Sequence, residues 1–112
     1  MPLVEIKLNK KLEISEKEEL KEEIQKDISL INKTPNWLMI NIIDSVDLNF
    51  NSSNDPACMI EVKTYGKVSY DNSNRFSSAL TKYISAKFDI DQERIYVAYF
   101  DTDTWSYAGE NF

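Results

Sequence analysis

Residues Asn36 to Val46 read NWLMINIIDSV, and this stretch decides the fold. A β-strand sends successive side chains to opposite faces, so Trp37, Met39 and Ile43 fall on one side and Leu38, Ile40 and Ile42 on the other. Both faces are apolar. A half-solvated strand would alternate apolar with polar residues, whereas this pattern belongs to a strand buried on both sides. The fold must therefore cover it twice.

On its N-terminal side, Val4, Ile6 and Leu8 alternate with Glu5 and Lys7 as a strand over residues 3–8. The segment 15–31, SEKEELKEEIQKDISLI, predicts a helix with a capping box from Ser15 to Glu18 and an apolar stripe of Leu20, Ile24, Ile28 and Ile31. The helix must end by Lys33, because Thr34 precedes Pro35 and is pushed out of the α region. On the C-terminal side, LNFNSSNDPA reads as a loop. Cys58, Ile60 and Val62 alternate in a third strand, and a second helix capped within DNSN carries Phe76, Ala79, Leu80, Tyr83, Ile84 and Phe88. RIYVAYF from Arg94 is a fourth strand, again apolar on both faces, and the tail carries a weak signal for one more short strand.

The order is β-α-β, loop, β-α-β. It predicts an α+β fold of one domain over residues 1–112: a two-layer sandwich of two β-α-β halves, a four-stranded sheet with two helices on one face. Two helices leave the second sheet face bare. The doubly apolar strands then require other copies of the chain as the second cover, so a homo-oligomer is expected.

Composition narrows the chemistry. The net charge of −6 argues against nucleic acid and against anionic membrane surfaces as partners. No apolar run approaches the ~20 residues of a membrane span, and residues 1–10 lack a secretory pattern, so a cytoplasmic location is expected. With no histidine, Ser-His triads and imidazole-based metal sites are impossible. One cysteine allows no disulfide within the chain, and two glycines allow no dinucleotide fingerprint and no P-loop. No cofactor and no metal are expected. Proton transfer must fall to a carboxylate, a lysine, a tyrosine or the chain's own amine. Cys58 reads as a buried thiol, the acidic run Glu16 to Asp27 as a solvated helix face, and Asp101 with Asp103 as turn chemistry.

Five segments, in order, carry a resemblance that spans the chain: Met1-Pro2, NKTPNWLMI over 32–40, DPACMIEVKTYGKV over 55–68, ERIYVAYFD over 93–101 and WSYAGENF over 105–112. Together they resemble the macrophage migration inhibitory factor family of the tautomerase superfamily. The resemblance implies a homotrimer with a pocket at each subunit interface and keto–enol tautomerisation of phenylpyruvate-like or dopachrome-like substrates. Its catalytic base would be Pro2, made N-terminal by removal of Met1. An α-amino group titrates near 8, and burial or a nearby cation such as Lys33 lowers that value toward neutrality. With Met1 retained, the same nitrogen is an amide without basicity.

By the same resemblance, Lys33 contacts the acidic or carbonyl end of the substrate. Tyr65 offers its backbone N–H, and Trp37, Tyr96, Tyr107 and Phe112 line the pocket. Without the resemblance, Lys33 reads as a solvated lysine at a helix C-terminus and the four aromatics as interface packing. The implied partners are a small aromatic keto or enol acid and the chain itself. A cytokine-like reading, with a vestigial pocket, adds a protein receptor and export without a signal peptide. Two departures stand out. Ala98 replaces an asparagine of vertebrate members, and Ala57 and Ile60 occupy the positions of a CxxC pair, which excludes thiol redox chemistry.

Overall fold

The computed structural model describes all 112 residues. Strand β1 (Pro2–Leu8) is followed by helix α1 (Ile14–Asp27) and strand β2 (Met39–Ile43); strand β3 (Cys58–Tyr65), helix α2 (Tyr70–Phe88) and strand β4 (Ile95–Thr102) repeat the pattern. A hairpin of two short strands, β5 (Ser106–Tyr107) and β6 (Glu110–Asn111), closes the chain. The main sheet has the order β2-β1-β3-β4. Each β-α-β half contributes a parallel pair, and the halves meet along the antiparallel β1–β3 seam.

The period-two and period-3.6 patterns meet in one core. Val4, Ile6 and Leu8 of β1 with Ile60 and Val62 of β3 join Leu20 and Ile24 of α1 and Phe76, Leu80 and Ile84 of α2 in a single buried cluster. Leu38, Ile40 and Ile42 pack against it from the sheet edge. Tyr99 brings its hydroxyl to the helix layer, donating to the Ser73 carbonyl at 2.8 Å.

Element boundaries shift from the sequence expectation for local reasons. Helix α1 begins at Ile14 rather than Ser15. The Glu13 backbone N–H donates to Glu16 Oε1 at 2.9 Å, so the cap lies two residues earlier than the Ser15–Glu18 box. The last residues of the expected helix, Ile28–Ile31, tighten into a 3₁₀ turn that ends at Asn32 in the left-handed region (φ 59°). The second helix is capped by Ser69, whose Oγ accepts the Asn72 N–H, and not from within DNSN. The second strand is shorter than expected. Pro35 opens a 3₁₀ turn over Pro35–Trp37, so Trp37 leaves the strand pattern it was expected to join.

The loop between β2 and β3 is held from both sides. Asn9 accepts the Ala57 N–H at 2.8 Å and donates to the Asn54 and Asp55 carbonyls. The Arg94 guanidinium donates to the carbonyls of Phe50, Ser53, Asp55 and Pro56 and lies over the Phe50 ring. These seven hydrogen bonds restrain a stretch without regular structure, including Asn51 and Ser52 at positive φ.

The far face of the sheet is open in the single chain. Its rows run Met39–Leu3–Lys63–Phe100, Asn41–Glu5–Glu61–Ala98 and Ile43–Lys7–Met59–Tyr96. Charges gather on the central strands, where Lys7 pairs with Glu5 (3.2 Å) and Glu61 (3.6 Å) and Lys63 with Glu61 (3.7 Å). Large apolar side chains sit at the edges, with Met39 68%, Tyr96 58% and Phe100 50% exposed.

One member of the acidic run departs from the solvated reading. Asp27 is buried, and its Oδ2 has no partner. Burial, reinforced by the carboxylate of Glu23 one turn earlier, pushes its carboxyl up to about 7. A folded-state pKa above the unfolded value means the charge weakens the fold. The penalty grows as pH rises from about 4 through 7 and is complete above that. Asp27→Asn should therefore raise the urea midpoint over the parent at pH 8 and leave it nearly unchanged at pH 4.5. An equal effect at both pH values would contradict the buried-charge account.

Candidate active site

Pro2 stands at the end of β1, in register with Thr64, and is buried. The residue before it makes the contact that organises this end of the sheet: the Tyr65 backbone N–H donates to the Met1 carbonyl at 3.1 Å. Beyond Tyr65 the chain turns at Gly66, whose φ of +83° suits glycine. The Gly66 N–H donates to the Thr102 carbonyl at 2.9 Å, tying the turn to β4.

Lys33 arrives from the other layer. The left-handed turn at Asn32 ends α1 and its 3₁₀ extension, and the next residue reaches back to donate its Nζ to the Tyr65 carbonyl at 3.1 Å. A lysine read without the family resemblance as a solvated helix terminus is thus half-buried and hydrogen-bonded across the layers. Its charge reaches the chain's amine. The Met1 ammonium is held below its ordinary value, first by burial and second by repulsion from Lys33.

The aromatic residues come from three turns. Trp37 in the Pro35–Trp37 turn meets Tyr107 of β5 edge to face, with ring centroids 5.2 Å apart at 83°. Tyr65 meets Phe112 in the same manner at 5.4 Å and 72°. The C-terminal hairpin supplies Tyr107 and Phe112. It turns at Ala108 (φ 52°) and Gly109 (φ 85°) and is closed by the Phe112 N–H donating to the Trp105 carbonyl at 3.0 Å. A cavity of about 430 Å³ lies between these elements, lined by Pro2, Leu3, Trp37, Met39, Trp105 and Tyr107 among others.

The single chain thus brings Pro2, Trp37 and Tyr107 to one cavity, with Lys33, Tyr65 and Phe112 linked beside it. Tyr96 is elsewhere. It shares a row with Met59, five residues along β4 from the Asp101 that pairs with Thr64 in the Pro2 row, or roughly 16 Å at the usual strand rise. There it packs on Phe50 with centroids 5.0 Å apart. Trp105 was not singled out for the pocket by the sequence reading, which placed it only within the closing segment. A second cavity of about 470 Å³ is lined mostly by polar residues, among them Asp55, Asp89, Asp91 and Arg94, and has a single apolar lining residue. The Pro2 cavity, with apolar walls and an ionisable amine at its edge, is the better candidate for an organic ligand.

The family model for macrophage migration inhibitory factor matches residues 1–111. The chain belongs to the macrophage migration inhibitory factor family. No curated protein matches it by sequence. Solved structures of the family share its fold at low identity. Leishmania major MIF2 has a TM-score of 0.92 at 22% identity, covering 100% of this chain and 97% of its own. The factor from Toxoplasma gondii gives 0.91 at 17%, covering 98% and 99%. The Entamoeba histolytica protein gives 0.89 at 21%, covering 99% and 98%.

Within this family fold the lone Cys58 is an inert core residue. It is 3% exposed, and burial pushes its thiol up to about 12. Reactivity requires the thiolate, so at pH 8 almost none is present. An aromatic disulfide reagent should leave Cys58 unmodified in the folded protein and titrate one thiol per chain after denaturation. Rapid modification of the folded chain would contradict its burial.

Proposed function

We propose that the protein is a homotrimeric keto–enol tautomerase for small aromatic keto or enol acids of the phenylpyruvate type. The Pro2 amine, freed by removal of Met1, is its general base. One observation carries this reading. The Met1 carbonyl occupies the Tyr65 N–H, and Lys33 is held at the other end of the same residue. Loss of Met1 frees that N–H beside a secondary amine and within reach of an ammonium. A substrate carboxylate then takes the acceptor position of the Met1 carbonyl, with Lys33 as its counter-ion.

In the forward direction the neutral Pro2 nitrogen takes a proton from the carbon next to the ketone. The C–H electron pair becomes the new C=C bond, and the carbonyl oxygen accepts the proton to give the enol. The reverse reaction runs the same transfers backwards. A base with a pKa near the working pH suits this task, and the lowering of the neighbouring Met1 amine by burial and by Lys33 supports such tuning at this end of β1. The pyrrolidine ring fixes φ, which aims the lone pair.

The open sheet face supports the trimer. Apolar residues at the sheet edges, with charged residues along its centre, fit copies joined edge to edge around a wet middle. Such a ring would bring Tyr96 of one copy toward the Pro2 cavity of the next, which the single chain keeps apart.

Two experiments test this. In protein verified by mass to lack Met1, Pro2→Gly should lower kcat for phenylpyruvate tautomerisation by on the order of 10²-fold or more, whereas Trp37→Ala should cost about tenfold or less. Equal losses would remove Pro2 from the role of base. The second is a pH profile. Because the base acts unprotonated, kcat/KM should fall as pH drops below the amine pKa, and Lys33→Met should move that limb upward. A protein that converts no substrate with or without Met1 would favour a binding role, with a protein receptor as the partner.

A further inference from the structure

The row of β3 that faces the core runs Cys58, Ile60, Val62 and then Thr64, which is 2% exposed. A hydroxyl buried in such a row needs a partner. Thr64 donates its proton to the Gly66 carbonyl, two residues on, at 2.7 Å. The ring closed by this bond contains two peptide groups, Thr64–Tyr65 and Tyr65–Gly66. The first supplies the Tyr65 N–H that meets the Met1 carbonyl, and the second supplies the Tyr65 carbonyl that accepts Lys33 Nζ. Both polar contacts at this end of the site therefore belong to a turn that Thr64 fastens. Its place beside Pro2 is fixed as well. Pro2 and Thr64 are register partners flanked by the Tyr65–Met1 hydrogen bond, which makes them a pair without bonds of its own, the kind whose side chains approach most closely. Gly66 itself is exposed, so water can take over at its carbonyl when the hydroxyl is removed. The fold can do without this bond; the orientation of Tyr65 cannot.

We propose that Thr64 is a positioning residue: its hydroxyl holds the two peptide groups of Tyr65 in the orientation that binds an acid between the Tyr65 N–H and Lys33. The inference rests on the tautomerase reading for its kinetic consequence, but not for acid binding itself. A hydrogen bond to a carboxylate depends steeply on the direction of the N–H. A Tyr65 peptide left free to rotate would have to be ordered at each binding event, which costs affinity. Lys33 follows it, since its Nζ is anchored on the carbonyl of the same residue. Thr64 offers the acid no donor of its own, because its one proton is committed to Gly66. Removal of the hydroxyl should therefore raise KM for acids with little change in kcat, and leave neutral ligands unaffected.

The test uses the Met1-free protein and two readouts. Calorimetry measures binding of 3-phenylpropanoate and of 3-phenylpropan-1-ol, which carries the same ring without the acid. Steady-state kinetics measure KM and kcat for phenylpyruvate. Thr64→Val keeps the side-chain shape and removes the hydroxyl. It should weaken 3-phenylpropanoate about fivefold or more and the alcohol less than about twofold, and raise the phenylpyruvate KM with kcat within about threefold. Thr64→Ser keeps the donor and should bind the acid within about twofold of the parent. If Thr64→Val does not fold, Thr64→Ala takes its place beside Thr64→Ser in the same comparison. Equal weakening of both ligands, no weakening, no recovery with serine, or a parent that binds no acid would each overturn the inference. If the parent binds 3-phenylpropanoate through the Thr64 hydroxyl but converts no phenylpyruvate, the positioning role stands and the tautomerase reading falls. If it converts phenylpyruvate and Thr64→Val changes neither KM nor affinity, the tautomerase reading stands and this inference falls.

Discussion

The structure depends on where β1 lies. It runs through the middle of the sheet, hydrogen-bonded to β2 on one side and β3 on the other, and forms the seam between the two β-α-β halves. A terminal strand is normally free to fray. This one cannot fray without opening both its parallel pairing with β2 and its antiparallel pairing with β3 and uncovering Val4, Ile6 and Leu8, which are fully buried. Pro2 is therefore held as firmly as the core. The residue that the proposed chemistry needs in a fixed place sits at the end of the strand that the fold can least release.

That placement explains how groups far apart in sequence converge. Tyr65 reaches Met1 because β3 pairs with β1 over its whole length, and Lys33 reaches Tyr65 because α1 ends in a left-handed turn directly above that row. Trp37 follows from Pro35, which opens a turn just before β2 pairs with β1. The opposite end of the sheet is organised differently. Asn9 and Arg94 satisfy the backbone of the long loop there, so Phe50 is ordered outside any long strand or helix and packs on Tyr96 of β4.

Much of this was legible in the sequence, for identifiable reasons. Apolar periodicity located all four main strands and both helices, and the doubly apolar strands proved to be the two sheet edges. Caps were harder to read. Ser15 is a better intrinsic cap than Glu13, yet the helix begins one residue earlier, and Ile14 is left 80% exposed. The burial of Asp27 was invisible within a run of acids, since only packing distinguishes it from its neighbours. Trp105 was hidden for a different reason. Its hairpin is short and irregular, and periodicity says nothing about which turn folds back over Pro2.

The central claim is that the Pro2 amine is a base tuned by burial and by Lys33. The most direct measurement is a ¹⁵N NMR titration of Pro2 in proline-labelled protein that lacks Met1. The account predicts one titration assigned to Pro2 with a pKa below about 8, the ordinary value of an α-amino group, and a rise in that pKa in Lys33→Met. A Pro2 nitrogen that titrates at or above the ordinary value, or is indifferent to Lys33, would contradict it.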